Sequence, residues 1–99
     1  VSNRRVKRDA NHGEVDAALR GDGWMTRDTS MLGDSWPDII ASKPGINLLV
    51  EVKAPGGELS EGQEAFHRIW PGPKIVAFSG ADAVEKAHMF VPPRSGWGR

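Results

Sequence analysis

Apolar positions along this chain change period several times, and each change marks an element. Residues 38–42 and 46–53 are dense in Ile, Leu and Val and meet at Pro44-Gly45, so they read as two strands joined by a turn. A two-residue turn pairs Lys43 with Ile46 and carries the register down to Asp38 opposite Glu51. Pro-Gly favours a type II turn, which matches strand twist poorly, so a wider loop is the alternative. Symmetric widening keeps this pairing, whereas an odd loop destroys it.

Upstream, Val15, Ala18 and Leu19 have helical spacing, with Asn11 placed to cap the helix and Gly21-Asp22-Gly23 to end it. A strand over 24–29 and a loop over 30–37 lead into the hairpin. Ala54-Pro55-Gly56-Gly57 stops it. Ser60 and Gln63 have the S-x-x-Q form of a capping box, so a second helix starts at Ser60, with Ala65, Phe66, Ile69 and Trp70 on one side. Pro71-Gly72-Pro73 closes that helix. Residues 74–79 form a fourth strand whose nearly unbroken apolar run predicts burial on both faces, and a short helix over 80–89 follows. The order α-β-β-β-α-β-α predicts an α/β fold, a mixed sheet with helices on its faces.

A chain of 99 residues makes one domain with a modest core, which a partner subunit would help to stabilise. The expected domain covers 11–89, between an arm at 1–10 and a Pro/Gly-rich tail at 90–99. With no cysteine, disulfides and thiolate metal sites are excluded, and a reducing cytoplasm is the expected compartment. The longest apolar stretch, Ile46–Val52, is far too short to cross a bilayer, and nothing resembles a signal peptide, which predicts a soluble protein.

The net charge of zero conceals an uneven distribution. Residues 1–10 carry Arg4, Arg5, Lys7 and Arg8 against Asp9, and residues 86–99 carry Lys86, Arg94 and Arg99, while the body between them is acidic. Solvated tails would account for basic ends; an acidic, metal-binding centre flanked by phosphate-contacting arms accounts for the whole pattern. Arg4, Arg5, Lys7, Arg8, Arg94 and Arg99 are then the candidate nucleic-acid contacts.

Two carboxylates at cross-strand positions repel, so Asp38 opposite Glu51 needs an offsetting charge. A hard divalent cation held by oxygen ligands is the simplest one, and Lys53 follows two residues along on the face of Glu51. The histidines, His12, His67 and His88, lie on separate elements without ligand spacing, which argues against a zinc site. There is no phosphate-binding loop of the G-x-x-x-x-G-K-[ST] form, and Ser79-Gly80 lacks the elbow of a hydrolase nucleophile.

An acidic residue in helix one, then Pro37-Asp38, Glu51-Val52-Lys53 and Gln63 in that order resemble the PD-(D/E)XK nuclease superfamily. More narrowly, Leu59-Ser60-Glu61-Gly62-Gln63 after E-V-K, leading to Ile75-Val76-Ala77-Phe78, is similar to the virus-type replication-repair nuclease (VRR-NUC) family. The likeness covers roughly residues 11–88. It implies a restriction-endonuclease-like αβββαβ core and a metal-dependent DNA endonuclease, structure-selective on branched DNA such as Holliday junctions, acting as a homodimer. By this resemblance Asp38, Glu51 and the Val52 carbonyl ligate Mg²⁺ or Mn²⁺, and Glu14 completes the site. Lys53 sits beside the attacking water or the scissile phosphate, and Gln63 positions the metal-water cluster. Asp34 and Asp16 are the alternative acids.

Each of these residues also has a structural reading. Glu51 and Lys53 form an ordinary strand ion pair, Gln63 a cap, Glu14 a first-turn acid favoured by the helix dipole; Phe66, Trp70 and Trp36 are packing residues. The rival functions are a non-catalytic nucleic-acid-binding module on the same fold and a duplex or single-strand nuclease without junction preference.

Overall fold

The computed structural model describes residues 11–92. Seven elements follow in the predicted order: α1 (His12–Gly21), β1 (Met25–Asp28), β2 (Ile39–Lys43), β3 (Ile46–Val52), α2 (Glu61–Ile69), β4 (Lys74–Ala77) and α3 (Gly80–His88). They build one mixed sheet in the order β1-β2-β3-β4, antiparallel across β1-β2 and β2-β3 and parallel across β3-β4. This is an αβββαβ-type core with a further helix.

The hairpin keeps the narrow turn. Lys43 pairs with Ile46, and the ladder runs through Ile39 opposite Val50. Gly45 supplies φ +83°, the left-handed conformation that a type II turn requires at its third residue, so Pro44-Gly45 closes without widening.

Strand alternation sorts the side chains. Ile39 and Ala41, then Leu48, Val50 and Val52, then Ile75 and Ala77 all face one side, where Val15 and Leu19 of α1 and Ala83 and Ala87 of α3 meet them. Nearly all of these are fully buried, and each large aliphatic member contributes about 1.5–3 kcal/mol relative to an exposed side chain. Small residues let α3 approach α1 closely: a Cβ on Gly80 would lie 2.9 Å from the Ala18 Cβ and 3.1 Å from the Glu14 carbonyl oxygen.

Charged groups fasten the ends of these helices. At the far end of α1 the Asp22 carboxylate accepts from Lys43 Nζ at 3.5 Å and Trp24 Nε1 at 3.3 Å, with His88 Nε2 at 3.2 Å. Burial alone would raise the Asp22 carboxyl, but the Lys43 and His88 charges outweigh it and hold it below the usual range. Asp82 is held low in the same way, burial being overridden by Lys86 and the Phe78 N–H.

Two expectations are corrected. Asn11 precedes α1 but makes no side-chain cap hydrogen bond; its amide reaches across to the sheet instead. β4 is not buried on both faces, because Ile75 and Ala77 are covered while Lys74 and Val76 stay half-buried. The reason is that, among the described residues, the second face carries only α2 and the loop before β2, and α2 buries none of its residues. The capping box of α2 is present as predicted: Ser60 Oγ accepts from Gln63 N–H and Gln63 Oε1 accepts from Ser60 N–H. Among the described residues, no helix is long and apolar enough to cross a membrane.

The Gly80 contact yields a stability prediction. Gly80→Ala is expected to lower unfolding free energy by about 1–3 kcal/mol through overpacking. Gly13→Ala, which meets open space in α1, should raise it by about 0.4–1 kcal/mol. Urea unfolding monitored by circular dichroism measures both.

Candidate active site

The open end of the β2-β3 hairpin holds the predicted carboxylates, but not as a directly opposed pair. The regular ladder ends at Ile39–Val50, and Asp38 N–H also donates to the Val50 carbonyl at 3.0 Å. Two successive residues therefore oppose one, which is a β-bulge. The bulge re-aims Asp38 so that its Oδ2 accepts from Val52 N–H at 2.8 Å, taking the place of the next backbone acceptor. The Val52 carbonyl belongs to the same edge of β3.

The residues before Asp38 are held just as firmly. Thr29 N–H donates to the Asp38 carbonyl at 2.8 Å and Thr29 Oγ1 to the Pro37 carbonyl at 2.7 Å. Asp34 and Ser35 adopt φ +53° and +62°, a left-handed conformation that costs about 1–2 kcal/mol for most side chains. Ser35 is wedged against α2, where a Cβ on Gly62 would collide with its hydroxyl. Trp36 then meets Phe66 and Trp70 edge-on, with ring centroids 5.3 and 5.6 Å away.

Glu51 faces away from the main core, towards α2, and is only 2% exposed. Its Oε2 accepts from Gln63 Nε2 at 3.0 Å. Gln63 thus does two jobs at once, capping α2 with its carbonyl oxygen and holding the Glu51 carboxylate with its amide nitrogen. Lys53 continues β3, donating its N–H to Ala77 at 3.0 Å. Its carbonyl and that of Phe78 both accept from Asn11 Nδ2, at 3.0 and 2.9 Å. One amide therefore ties α1 to the ends of two parallel strands.

Glu14 is tied to another element: its Oε2 accepts from Gly80 N–H at 2.8 Å, at the start of α3. Asp16 is engaged by Arg20 at 3.1 Å and by the Thr26 hydroxyl at 2.6 Å. Arg4, Arg5, Lys7, Arg8, Arg94 and Arg99 lie outside the described residues.

Sequence reasoning passed over Asn11 and Thr29 as tethers, and over buried His12, whose Nε2 lies 3.8 Å from Asp28 Oδ1. The polar residue just before α1 was the only available signal for Asn11, and it also fits an ordinary cap.

The two carboxylates, the Val52 carbonyl and Lys53 share the open end of the hairpin. Among the described residues no three His, Cys, Asp or Glu side chains gather as a cation site. A surface depression of about 580 Å³ lies at the opposite end of the hairpin, around Lys43, Pro44 and Gly45. No protein-family model matches the chain, and no curated protein matches it. Fold and site together define a mixed α/β domain with two separately tethered carboxylates at the end of its central hairpin.

The tethers separate the two roles of Gln63. Ser60→Ala removes one cap bond and is expected to cost about 0.5–2 kcal/mol. Gln63→Leu should cost more, because besides the cap it takes a donor from a buried carboxylate, a loss of about 1–3 kcal/mol in its own right. Chemical denaturation at neutral pH compares them; equal losses would mean that the Glu51 contact adds nothing.

Proposed function

We propose that this chain is a metal-dependent DNA endonuclease that hydrolyses phosphodiester bonds through Asp38, Glu51 and Lys53, in the manner of the VRR-NUC domains it resembles. The observation that carries this reading is the pairing of two independently tethered carboxylates with a lysine at one end of a hairpin. Asp38 is fixed by Val52 N–H and Glu51 by Gln63, while Lys53 follows Glu51 on the same face of β3.

The donor set suits a hard cation. Asp38, Glu51 and the Val52 carbonyl offer oxygen only, and Mg²⁺ takes one or two protein carboxylates with water and substrate oxygens filling its shell. Two carboxylates without a third side-chain ligand satisfy that requirement. When bound, Mg²⁺ or Mn²⁺ supplies a water of lowered pKa and neutralises charge on the phosphate oxygens. The protein's own part is positioning. Thr29 and the Val52 N–H hold Asp38 on both sides of its Cα, Gln63 orients Glu51, and Asn11 fixes the backbone that carries Lys53. The Lys53 ammonium contributes a compact positive charge beside the scissile phosphate.

A site at an open strand end accepts a DNA backbone without an enclosing pocket. The basic segments at both ends of the chain supply phosphate contacts that carry little base information, so recognition follows DNA shape. Branched DNA, with a homodimer presenting one site to each of two strands, is the substrate class this reading favours.

The second reading is a non-catalytic DNA-binding module. One observation favours it: both carboxylates already have protein donors, so the fold does not need a cation to tolerate them.

Cleavage decides between the two readings. Purified protein with Mg²⁺ or Mn²⁺ is expected to cut labelled four-way junctions in preference to duplex and single strands, and Asp38→Ala should abolish cutting while retaining binding. Binding without cleavage in either metal would favour the non-catalytic module. In titrations across salt concentrations, log affinity should fall steeply with log salt. A slope near zero would remove the role assigned to the basic segments.

A further inference from the structure

α2 is amphipathic, yet in the structure of the described residues none of its side chains is fully buried. Phe66 stacks on Trp70 with centroids 5.4 Å apart and turns towards Trp36, so one flank of the helix is seated on the protein. The adjoining flank is left open. Ile69 is 74% exposed, and the loop held against this helix through Ser35 and Trp36 presents Met31 and Leu32 at 69% and 61%.

Glu61, Ala65, Arg68 and Ile69 recur at the i, i+4, i+7, i+8 spacing of a single helical stripe. We propose that this stripe is a two-fold interface, on which α2 packs antiparallel against α2 of a second copy of the chain with Ala65 near the axis.

Charge order selects this occupant. The first turn of α2 carries Glu61 and Glu64 and the last turn His67 and Arg68. A two-fold contact must be complementary to itself. Running two such helices antiparallel places each Glu61 beside the other copy's Arg68, and opposes the helix dipoles favourably as well. The small side chain of Ala65 permits close approach at the crossing point, and the exposed Ile69 of each copy supplies apolar area on either side of it. A nucleic-acid strand laid on the same stripe would meet the Glu61 and Glu64 carboxylates first, which repel phosphate.

The inference rests on the homodimer part of the proposed function and not on cleavage. It also places the interface on the helix whose Gln63 holds Glu51, so each copy would position its candidate site from the dimer face.

Size-exclusion chromatography with light scattering tests it directly, on wild type, Ile69→Glu, Glu61→Arg, Arg68→Glu and the double variant Glu61→Arg with Arg68→Glu. Wild type is expected at twice the chain mass. Ile69→Glu and each single charge reversal should weaken association by at least about tenfold, or about 1.4 kcal/mol. The double variant restores opposite charges across the axis and should return to near wild-type affinity, which simple misfolding would not do. Circular dichroism verifies that the variants, all at exposed positions, remain folded. A monomeric wild type at about 100 µM, a dimer indifferent to Ile69→Glu, or a double variant no tighter than the singles would each overturn the interface. A dimer that responds in this way but cuts no DNA sustains the interface and removes only the nuclease reading.

Discussion

The bond from Val52 N–H to the Asp38 carboxylate is the constraint on which the candidate site depends. β3 is the central strand of the site, and its edge towards β2 runs out of backbone acceptors where β2 bulges. A side chain fills the gap at 2.8 Å, so the last N–H of the hairpin is satisfied and the carboxylate is fixed by the same contact. Removing the carboxylate would therefore remove both a candidate ligand and the end of a ladder. Without the bulge, Asp38 would stand across from Glu51 with no donor between them, and the repulsion of two ionised groups would fall on a strand end.

Two unequal faces follow from the helix distribution. One face of the sheet is sealed by α1 and α3 over a run of aliphatic residues, and it supplies most of the apolar burial. Among the described residues the other is covered only by α2 and the loop before β2, joined through three aromatic rings and the tight seat of Ser35 on Gly62. Glu51 lies under that lighter cover. A buried carboxylate is tolerated there because the covering helix brings its own amide donor, and the helix is oriented to do so by the capping box that uses the other end of the same Gln63 side chain.

The fold was largely legible in the sequence because its signals are local. Pro44-Gly45 set the hairpin register, Ser60 and Gln63 set the start of α2, and the paired glycines and prolines marked the remaining boundaries. Candidate site residues could be named from their spacing, but the contacts they make could not. Alternation placed Asp38 opposite Glu51, whereas a bulge in which Asp38 and Ile39 together face Val50 separates them. Glu14 followed the pattern of a helix acid, yet its reach to Gly80, 66 residues away, depends on how α3 packs on α1. Burial of β4 was misread for the same reason: an apolar run reports what a strand tolerates, and only the covering layer decides which face is sealed.

Asn11 shows how a residue with an ordinary local explanation acquires a long-range one. Standing just before α1, it has the composition and place of a cap, but its amide bridges the carbonyls of Lys53 and Phe78. Those carbonyls lie where parallel β3 and β4 end, a position at which strand ends leave acceptors without a ladder partner. A single side chain with two amide hydrogens satisfies both, whereas Ser or Thr in its place offers one. The backbone of Lys53 is consequently held from both sides, by Ala77 through its N–H and by Asn11 through its carbonyl. The same logic recurs at Thr29, whose N–H and hydroxyl clamp two successive carbonyls before the bulge. The open end of the hairpin is thus held by side chains that replace the missing ladder, and that replacement is what fixes Asp38 and the backbone of Lys53 there, with Glu51 buried beside them.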